Sequence, residues 1–259
     1  MTSGRVTLTR TGTTAHLLFD RPEARNALTW DMYEQLHAHC QTLNADESVR
    51  CAVLRGAGEQ AFIAGTDIAQ FLDFKTPEQG LQYEAQGEKY IAAVETLRMP
   101  TIAVVQGWAI GGGLAIAGVC DLRVATPDSR FGMPIARTLG NCLSNRNYAR
   151  LAAGLGAARV KRMLMLADMI GAQEALECGF VSELIVADQL DARVEELTKR
   201  IAEHAPLSMW AGKESLRRLA HEEDAGKDDD LIARCYGSQD FHAGVAAFVD
   251  KRRANWEGR

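Results

Sequence analysis

The stretch Ile102-Ala103-Val104-Val105-Gln106-Gly107-Trp108-Ala109-Ile110-Gly111-Gly112-Gly113-Leu114-Ala115-Ile116-Ala117-Gly118-Val119-Cys120 decides how this chain folds. Its 19 residues carry no charge, which is long enough to resemble a membrane span. The interior argues against that: Gln106 and five glycines lie inside it, and each glycine costs a helix about 1 kcal/mol relative to alanine. What fits is a buried strand over residues 102–105, a glycine turn, and a short helix of small residues over 114–118.

Upstream, residues 51–54 form a second short apolar run, and Ile91, Val94 and Leu97 keep helical spacing between the two runs. Strand, helix, strand implies a parallel pair. Residues 6–9 and 15–19 flank Gly12 as a hairpin that ends at Asp20-Arg21-Pro22. Met32, Leu36, Cys40 and Leu43 lie on one face of a helix whose N-cap is Thr29. Downstream, residues 122–125 supply one more strand, and from about Asn147 nearly everything has helical period. Leu190, Val194, Leu197 and Ile201 mark one late helix, and Leu216 with Leu219 another beyond Pro206. The fold class is therefore α/β with a helical C-terminal extension, divided at about residues 195/196.

At 259 residues, with 47% hydrophobic and 24% charged side chains, the chain has ordinary globular usage, which excludes disordered and fibrous classes. The net charge is −5 and no long run of like charge occurs, so no nucleic-acid partner is expected. Six scattered cysteines with no CxxC pair point to free thiols and a cytoplasmic compartment. The first ten residues lack the apolar segment of a secretory signal. The acidic run Asp228-Asp229-Asp230 suits a helix N-terminus, where carboxylates oppose the dipole, better than a metal site. His37 and His39 fall on opposite sides of their helix, no HExxH occurs, and no metal is expected.

Gly111-Gly112-Gly113 matches neither phosphate-loop pattern. Two readings remain: close helix packing, or a helix start whose free N–H groups face an oxygen that gains negative charge. A second glycine turn, Ala64-Gly65-Thr66-Asp67-Ile68, offers N–H groups in the same way, with Asp67 better read as a helix cap than as a base. Cys142 has no His near it in sequence, and a buried inert thiol is favoured over a nucleophile.

Four segments in order carry a resemblance: Asp20-Arg21-Pro22 with Asn26-Ala27-Leu28; Ala61-Phe62-Ile63-Ala64-Gly65-Thr66-Asp67-Ile68; Gly107 to Gly113; and Phe131-Gly132-Met133-Pro134. Together with Arg150-Leu151 and the tail Ala246-Ala247-Phe248-Val249-Asp250-Lys251-Arg252, they make the chain similar to the crotonase (enoyl-CoA hydratase/isomerase) family over nearly its whole length. The resemblance implies a spiral of strand-strand-helix turns and a C-terminal extension that builds homotrimers or dimers of trimers. It also implies an acyl-CoA substrate, with coenzyme A as part of the thioester and no permanently bound cofactor.

On the same resemblance, the amides of Thr66 and Gly112 hold the thioester oxygen. Ala24, Arg25 and Ala64 lie on the coenzyme A side, and Phe248 and Lys251 match adenine-side residues. From its own surroundings, Lys251 reads simply as a solvated cation beside Arg252 and Arg253. Family members that add water use two glutamates, and the matching positions here are Ala115 and Ile135, with Ala136 the neighbour reached by a one-residue slip. Losing a positioned acid–base group typically costs about 10²- to 10⁴-fold, so classical hydration is doubtful. An alternative family aspartate position matches Ser144. The polar stretch around it offers Arg137 or Arg146 to an acyl carboxylate and Asn141 or Asn145 to water or a leaving group, though capping and surface exposure explain each equally well. The chain is thus expected to be an acyl-CoA hydratase/isomerase-type lyase or isomerase. The alternative is a catalytically silent acyl-CoA binding protein.

Overall fold

The computed structural model describes residues 4–72, 74–221 and 229–259. Strands β1 (Arg5–Thr11) and β2 (Thr14–Asp20) form the hairpin around Gly12, and α1 (Trp30–Ala45) follows, its first turn capped by the Thr29 hydroxyl, which accepts from the Met32 N–H. Met32, Leu36, Cys40 and Leu43 are all buried along one face of α1, as their spacing requires.

Three turns of a spiral come next. β3 (Cys51–Gly56) and β4 (Ala61–Ile63) precede α2 (Pro77–Glu95); β5 (Thr101–Val105) and β6 (Trp108–Ile110) precede α3 (Gly112–Val119); β7 (Leu122–Ala125) and β8 (Arg130–Gly132) precede α4 (Ile135–Thr138). The first strand of each turn joins a large sheet in parallel, and the second joins a small one. Each short connection between the two strands is therefore a corner where the chain changes sheet. Successive corners stack: Arg130 N–H donates to the Gly107 carbonyl, Ser129 Oγ to the Val105 carbonyl, and Trp108 N–H to the Gln60 carbonyl. The stack is tight enough that a Cβ on Gly107 would lie 2.0 Å from the Gln60 oxygen.

The remaining elements are α5 (Asn145–Leu155), α6 (Ala157–Met165), β9 (Ile170–Gly171), α7 (Ala172–Glu177), β10 (Glu183–Leu184), α8 (Leu190–Ala202), α9 (Pro206–Ala220), α10 (Asp229–Tyr236) and α11 (Gln239–Val249). The order is β1-β2-β3-β5-β7-β10 in the large sheet and β4-β6-β8-β9 in the small one. The helical period expected for nearly everything after Asn147 is interrupted only by β9 and β10 among the described residues, two-residue strands that close one edge of each sheet and are too short to leave a period-2 signal. Similarly, β4 lies between β3 and α2, where local spacing signals only strand and helix and the second strand comes from the resemblance alone.

The large sheet is buried on both faces, which explains its continuous apolar runs. One face, with Ala52, Leu54, Ala103 and Val105, packs into the main core; the other, with Cys51, Val53, Ile102 and Val104, is covered by Leu190, Val194 and Ile201 of α8. Helix α8 runs unbroken through residue 195, so the start of the extension expected at 196 falls inside a helix whose apolar face belongs to the sheet. α10 begins at Asp229, with Asp230 paired to Arg218, while Asp228 lies outside the described residues. Among the described residues, no helix is long and apolar enough to cross a membrane, and no group of three or more His, Cys, Asp or Glu side chains could hold a metal ion.

Candidate active site

The Asp-Arg-Pro and Asn-Ala-Leu segments pin the loop that follows β4. Buried Asn26 donates from Nδ2 to the carbonyls of Ala57 (2.9 Å) and Ala61 (2.8 Å) and accepts the Arg21 N–H. Arg21 pairs with Asp67 at 2.8 Å, and Asp67 caps the short 3-10 turn at 68–71 by accepting the Ala69 N–H. Asp67 is thus a cap with a cationic partner. A lone parallel bridge between Leu28 and Thr66 fixes the loop further: Leu28 N–H donates to Gly65 and Asp67 N–H to Leu28. This bridge turns the Thr66 N–H away from Leu28.

The second loop reaches the same place from β6. Gly111 adopts φ 54°, ψ −118°, open to glycine alone, and starts α3 with the Gly112 N–H in the first, unpaired turn. Among the described residues, no hydrogen-bond acceptor is found for the Thr66 or the Gly112 amide. The loops converge: a Cβ on Gly111 would lie 3.6 Å from Gly65 Cα, and one on Gly112 3.4 Å from Thr66 Oγ1. Gly113 behaves differently. Its Cβ would be 2.1 Å from the Ile63 carbonyl oxygen, so this third glycine is there for close packing. The close-packing reading of the triplet therefore holds at Gly113, while among the described residues the adjacent Gly112 keeps an amide without an acceptor at the helix start.

A small cavity of about 50 Å³ opens beside these loops, lined by Gly111, Gly112, Ala115, Met133 and, from the helical side, Glu84 and Asn147. Tyr33 and Tyr83 line it too, and both hydroxyls meet Thr66 Oγ1, at 2.9 and 3.4 Å. Burial pushes the Tyr33 hydroxyl far above its ordinary value, with Tyr83 and Glu84 adding to the shift, so it stays protonated. Tyr33, Tyr83 and Gly87 also bound an aromatic cavity of about 330 Å³ that includes Trp30, Phe74 and Tyr90.

Glu84 is a residue that pattern matching passed over. It sits in α2, is half buried, and accepts the Ser144 N–H at Oε2 over 2.9 Å. Burial raises its carboxyl above the usual range; the Ser144 N–H works against this, and Glu88 one turn away adds to it. The available signal is helical spacing, since 84, 87, 91 and 94 share a face and bring a carboxylate into line with buried Ile91 and Val94.

Behind this wall, Arg150 of α5 is buried and braces α2. It donates to both carboxylates of Glu88 and Glu95 and to Asn147 Oδ1. His221 reaches Glu95 at 3.0 Å from the end of α9. Burial pushes Glu95 up, yet its bonds to Arg150 and His221 outweigh that and leave the carboxyl below its ordinary value.

The sequence model of enoyl-CoA hydratase/isomerase matches residues 9–259. The chain belongs to the enoyl-CoA hydratase/isomerase family. Its relatives include the short-chain-enoyl-CoA hydratase of Clostridium acetobutylicum, 31% identical over 98% of this chain and 97% of the relative, and the carnitinyl-CoA dehydratase of Proteus mirabilis, 31% identical over 97% and 98%. Among solved structures, an enoyl-CoA hydratase/carnithine racemase from Magnetospirillum magneticum superposes with a TM-score of 0.90 at 30% identity, covering 98% of this chain and 96% of that one.

Against the enoyl-CoA hydratase/isomerase pattern, the remaining candidates fall in different places. Of the two glutamate positions, Ala115 lines the small cavity, whereas Ile135 is 8% exposed and part of the main core, with Met133 at the cavity instead. Ala136, Arg137, Asn141, Asn145 and Arg146 are exposed and outside the lining of the small cavity. Ser144 caps α5, its hydroxyl accepting the Asn147 N–H. Cys142 is exposed, contrary to the buried thiol expected: it lies in the irregular, mostly exposed segment between α4 and α5 that follows Gly140 at φ 71°. Ala24 ends a short 3-10 turn, and the Arg25 carbonyl, from a residue at φ 51° and exposed, accepts the Ala64 N–H, so the three residues expected on the coenzyme A side lie together. Lys251 is exposed in the turn after α11 at φ 55°, and the Phe248 side chain lies outside the described residues.

Proposed function

We propose that this chain is an acyl-CoA thioester enzyme in which the Thr66 and Gly112 amides hold the thioester oxygen while the adjacent carbon becomes enolate-like. The observation that carries this reading is the convergence of two loops beside one cavity, which Gly111 and Gly112 line and against which Thr66 packs, each loop bringing an amide that among the described residues lacks an acceptor. Amides fixed by a helix start and a β-bridge stabilise developing negative charge without reorganising. The acyl group enters between Tyr33 and Tyr83 from the aromatic cavity, and the exposed Arg25 with Ala24 and Ala64 receives the coenzyme A side. Lys251 and Phe248, at the far end of the chain, serve the adenine end from a neighbouring subunit. Leu216 and Leu219, exposed on α9 in the single chain, support a homotrimer or a dimer of trimers, checked by light scattering.

With alanine at one glutamate position and a core isoleucine at the other, hydration of crotonyl-CoA is expected to be weak, and double-bond isomerisation, lyase cleavage or decarboxylation to dominate. Hydration at the rate of a good hydratase overturns that part.

The amide pair is tested by the infrared stretch of a ¹³C-labelled thioester carbonyl. Binding should shift it to lower frequency. Gly112→Pro removes one donor at a position where proline is tolerated, and is made with Tyr33→Phe because a side chain there meets the Tyr33 hydroxyl at 2.5 Å. Relative to Tyr33→Phe alone, it should lose most of the shift and about 10²- to 10³-fold in kcat. An unshifted carbonyl in the native protein refutes the reading, and tight binding without turnover of any thioester makes the chain a silent binder.

A further inference from the structure

We propose that Glu84 is the proton-transfer group of this enzyme, moving one proton between two carbons of the acyl chain and so making the protein a double-bond isomerase of 3-enoyl thioesters. This rests on the reading of the small cavity as the thioester site. Glu84 supplies the only carboxylate among the described residues lining that cavity, across from Gly111, Gly112 and Ala115. Its Oε2 is committed to the Ser144 N–H, whereas Oε1 has no hydrogen-bond partner among the described residues and is available to a proton.

The surroundings suit a base. From α1, Tyr33 presents a protonated hydroxyl; from α2, Tyr83 and Glu88 stand beside Glu84; from the α5 side come the Ser144 amide and Asn147. The nearby cations are directed elsewhere, because Arg150 grips Glu88 at 2.7 Å and Arg146 lies 3.9 Å from Glu88. Glu84 therefore keeps a raised proton affinity, which suits a carboxylate that must take up a proton.

One carboxylate is sufficient for a 1,3-shift, whereas the two-glutamate arrangement of water addition has no counterpart here. The Glu84 carboxylate takes a proton from C2 of the 3-enoyl thioester; the C2–H bond breaks and its electron pair enters the thioester, forming a dienolate held by the two amides. The carboxylic acid then returns that proton to C4, a C4–H bond forms, and the double bond moves from C3–C4 to C2–C3. Water, metal and cofactor are not consumed.

The probe is vinylacetyl-CoA (3-butenoyl-CoA) in H₂O and D₂O, followed by absorbance and by deuterium uptake. The native protein should convert it, with an acid limb in kcat/KM above the usual carboxylate range, since the base must be ionised and its affinity for a proton is raised. Glu84→Gln keeps an oxygen for the Ser144 N–H, so it preserves the strap to the loop. It should nevertheless lose about 10²- to 10⁴-fold in kcat together with the acid limb, with the thioester carbonyl shift retained. Glu84→Asp should recover part of the rate and the limb. Conversion by Glu84→Gln at the native rate, or a native protein that binds and polarises the thioester without isomerising it, overturns the assignment of Glu84 alone. Failure to bind or polarise any thioester overturns the underlying site as well.

Discussion

The two walls of the small cavity are built on different principles. The loop wall presents main chain from Gly111-Gly112, with Gly65-Thr66 packed against it, and its positions are set by glycine geometry, the Asn26 anchor and the Leu28 bridge. The helical wall, from α2 and α5, presents side chains, and its positions are set by ions buried behind it. A peptide donor depends little on which side chain it carries, so the loop wall follows a family pattern. A carboxylate is placed by whichever helix can reach the cavity, and among the described residues the one that lines it here is on α2.

This contrast predicts an order of stability losses. Replacing buried Arg150 with Met takes the main cationic partner from the half-buried carboxylates of Glu88 and Glu95, and should cost about 3–5 kcal/mol in urea unfolding at pH 7. The pH dependence has a definite sign. Glu95 lies below its ordinary value in the folded protein, so its contribution is present above the unfolded carboxylate range and is lost as pH falls through the folded value. The native protein should therefore lose stability on acidification more steeply than the Arg150→Met variant.

At the loop wall, Gly113→Ala drives a Cβ to 2.1 Å from the Ile63 oxygen and should cost about 1–3 kcal/mol through displacement of β4. A loss equal to that of Arg150→Met would mean that both walls rest on the same support. The smallest effect belongs to Asp67→Ala, which removes a cap and the Arg21 pair for about 0.5–2 kcal/mol by thermal melting. If it instead exceeded the Gly113 variant, the loop would depend on charge more than on backbone fit.

Much of the frame is legible in local spacing. Thr29, the α1 face, the hairpin and the three long parallel strands are each signalled by a cap, a period or an apolar run, and the two glycine turns stand out because little else gives such turns. The small sheet is another matter: β4, β6 and β8 are three residues each, too short for alternation, and they exist because the corners stack them. The polar stretch at 137–148 drew attention because polarity is visible in sequence, yet most of it faces solvent or caps a helix. Glu84 was hidden for the opposite reason. It lies within Tyr83-Glu84-Ala85-Gln86-Gly87-Glu88, where polar residues occupy every side of the helix and burial comes only from tertiary neighbours.

The stacked corners also constrain how this architecture can diverge. A residue inserted at 106–107 or 126–129 would shift one storey of the spiral against the next and break the rungs that Gly107 and Ser129 make with their neighbours. The helical returns carry no such constraint, with 19 residues in α2 and 8 in α3. Chain length is therefore free to vary on the helical flank alone, so new chemistry enters this scaffold by lengthening, tilting or re-decorating a return helix while the staircase itself keeps its pitch.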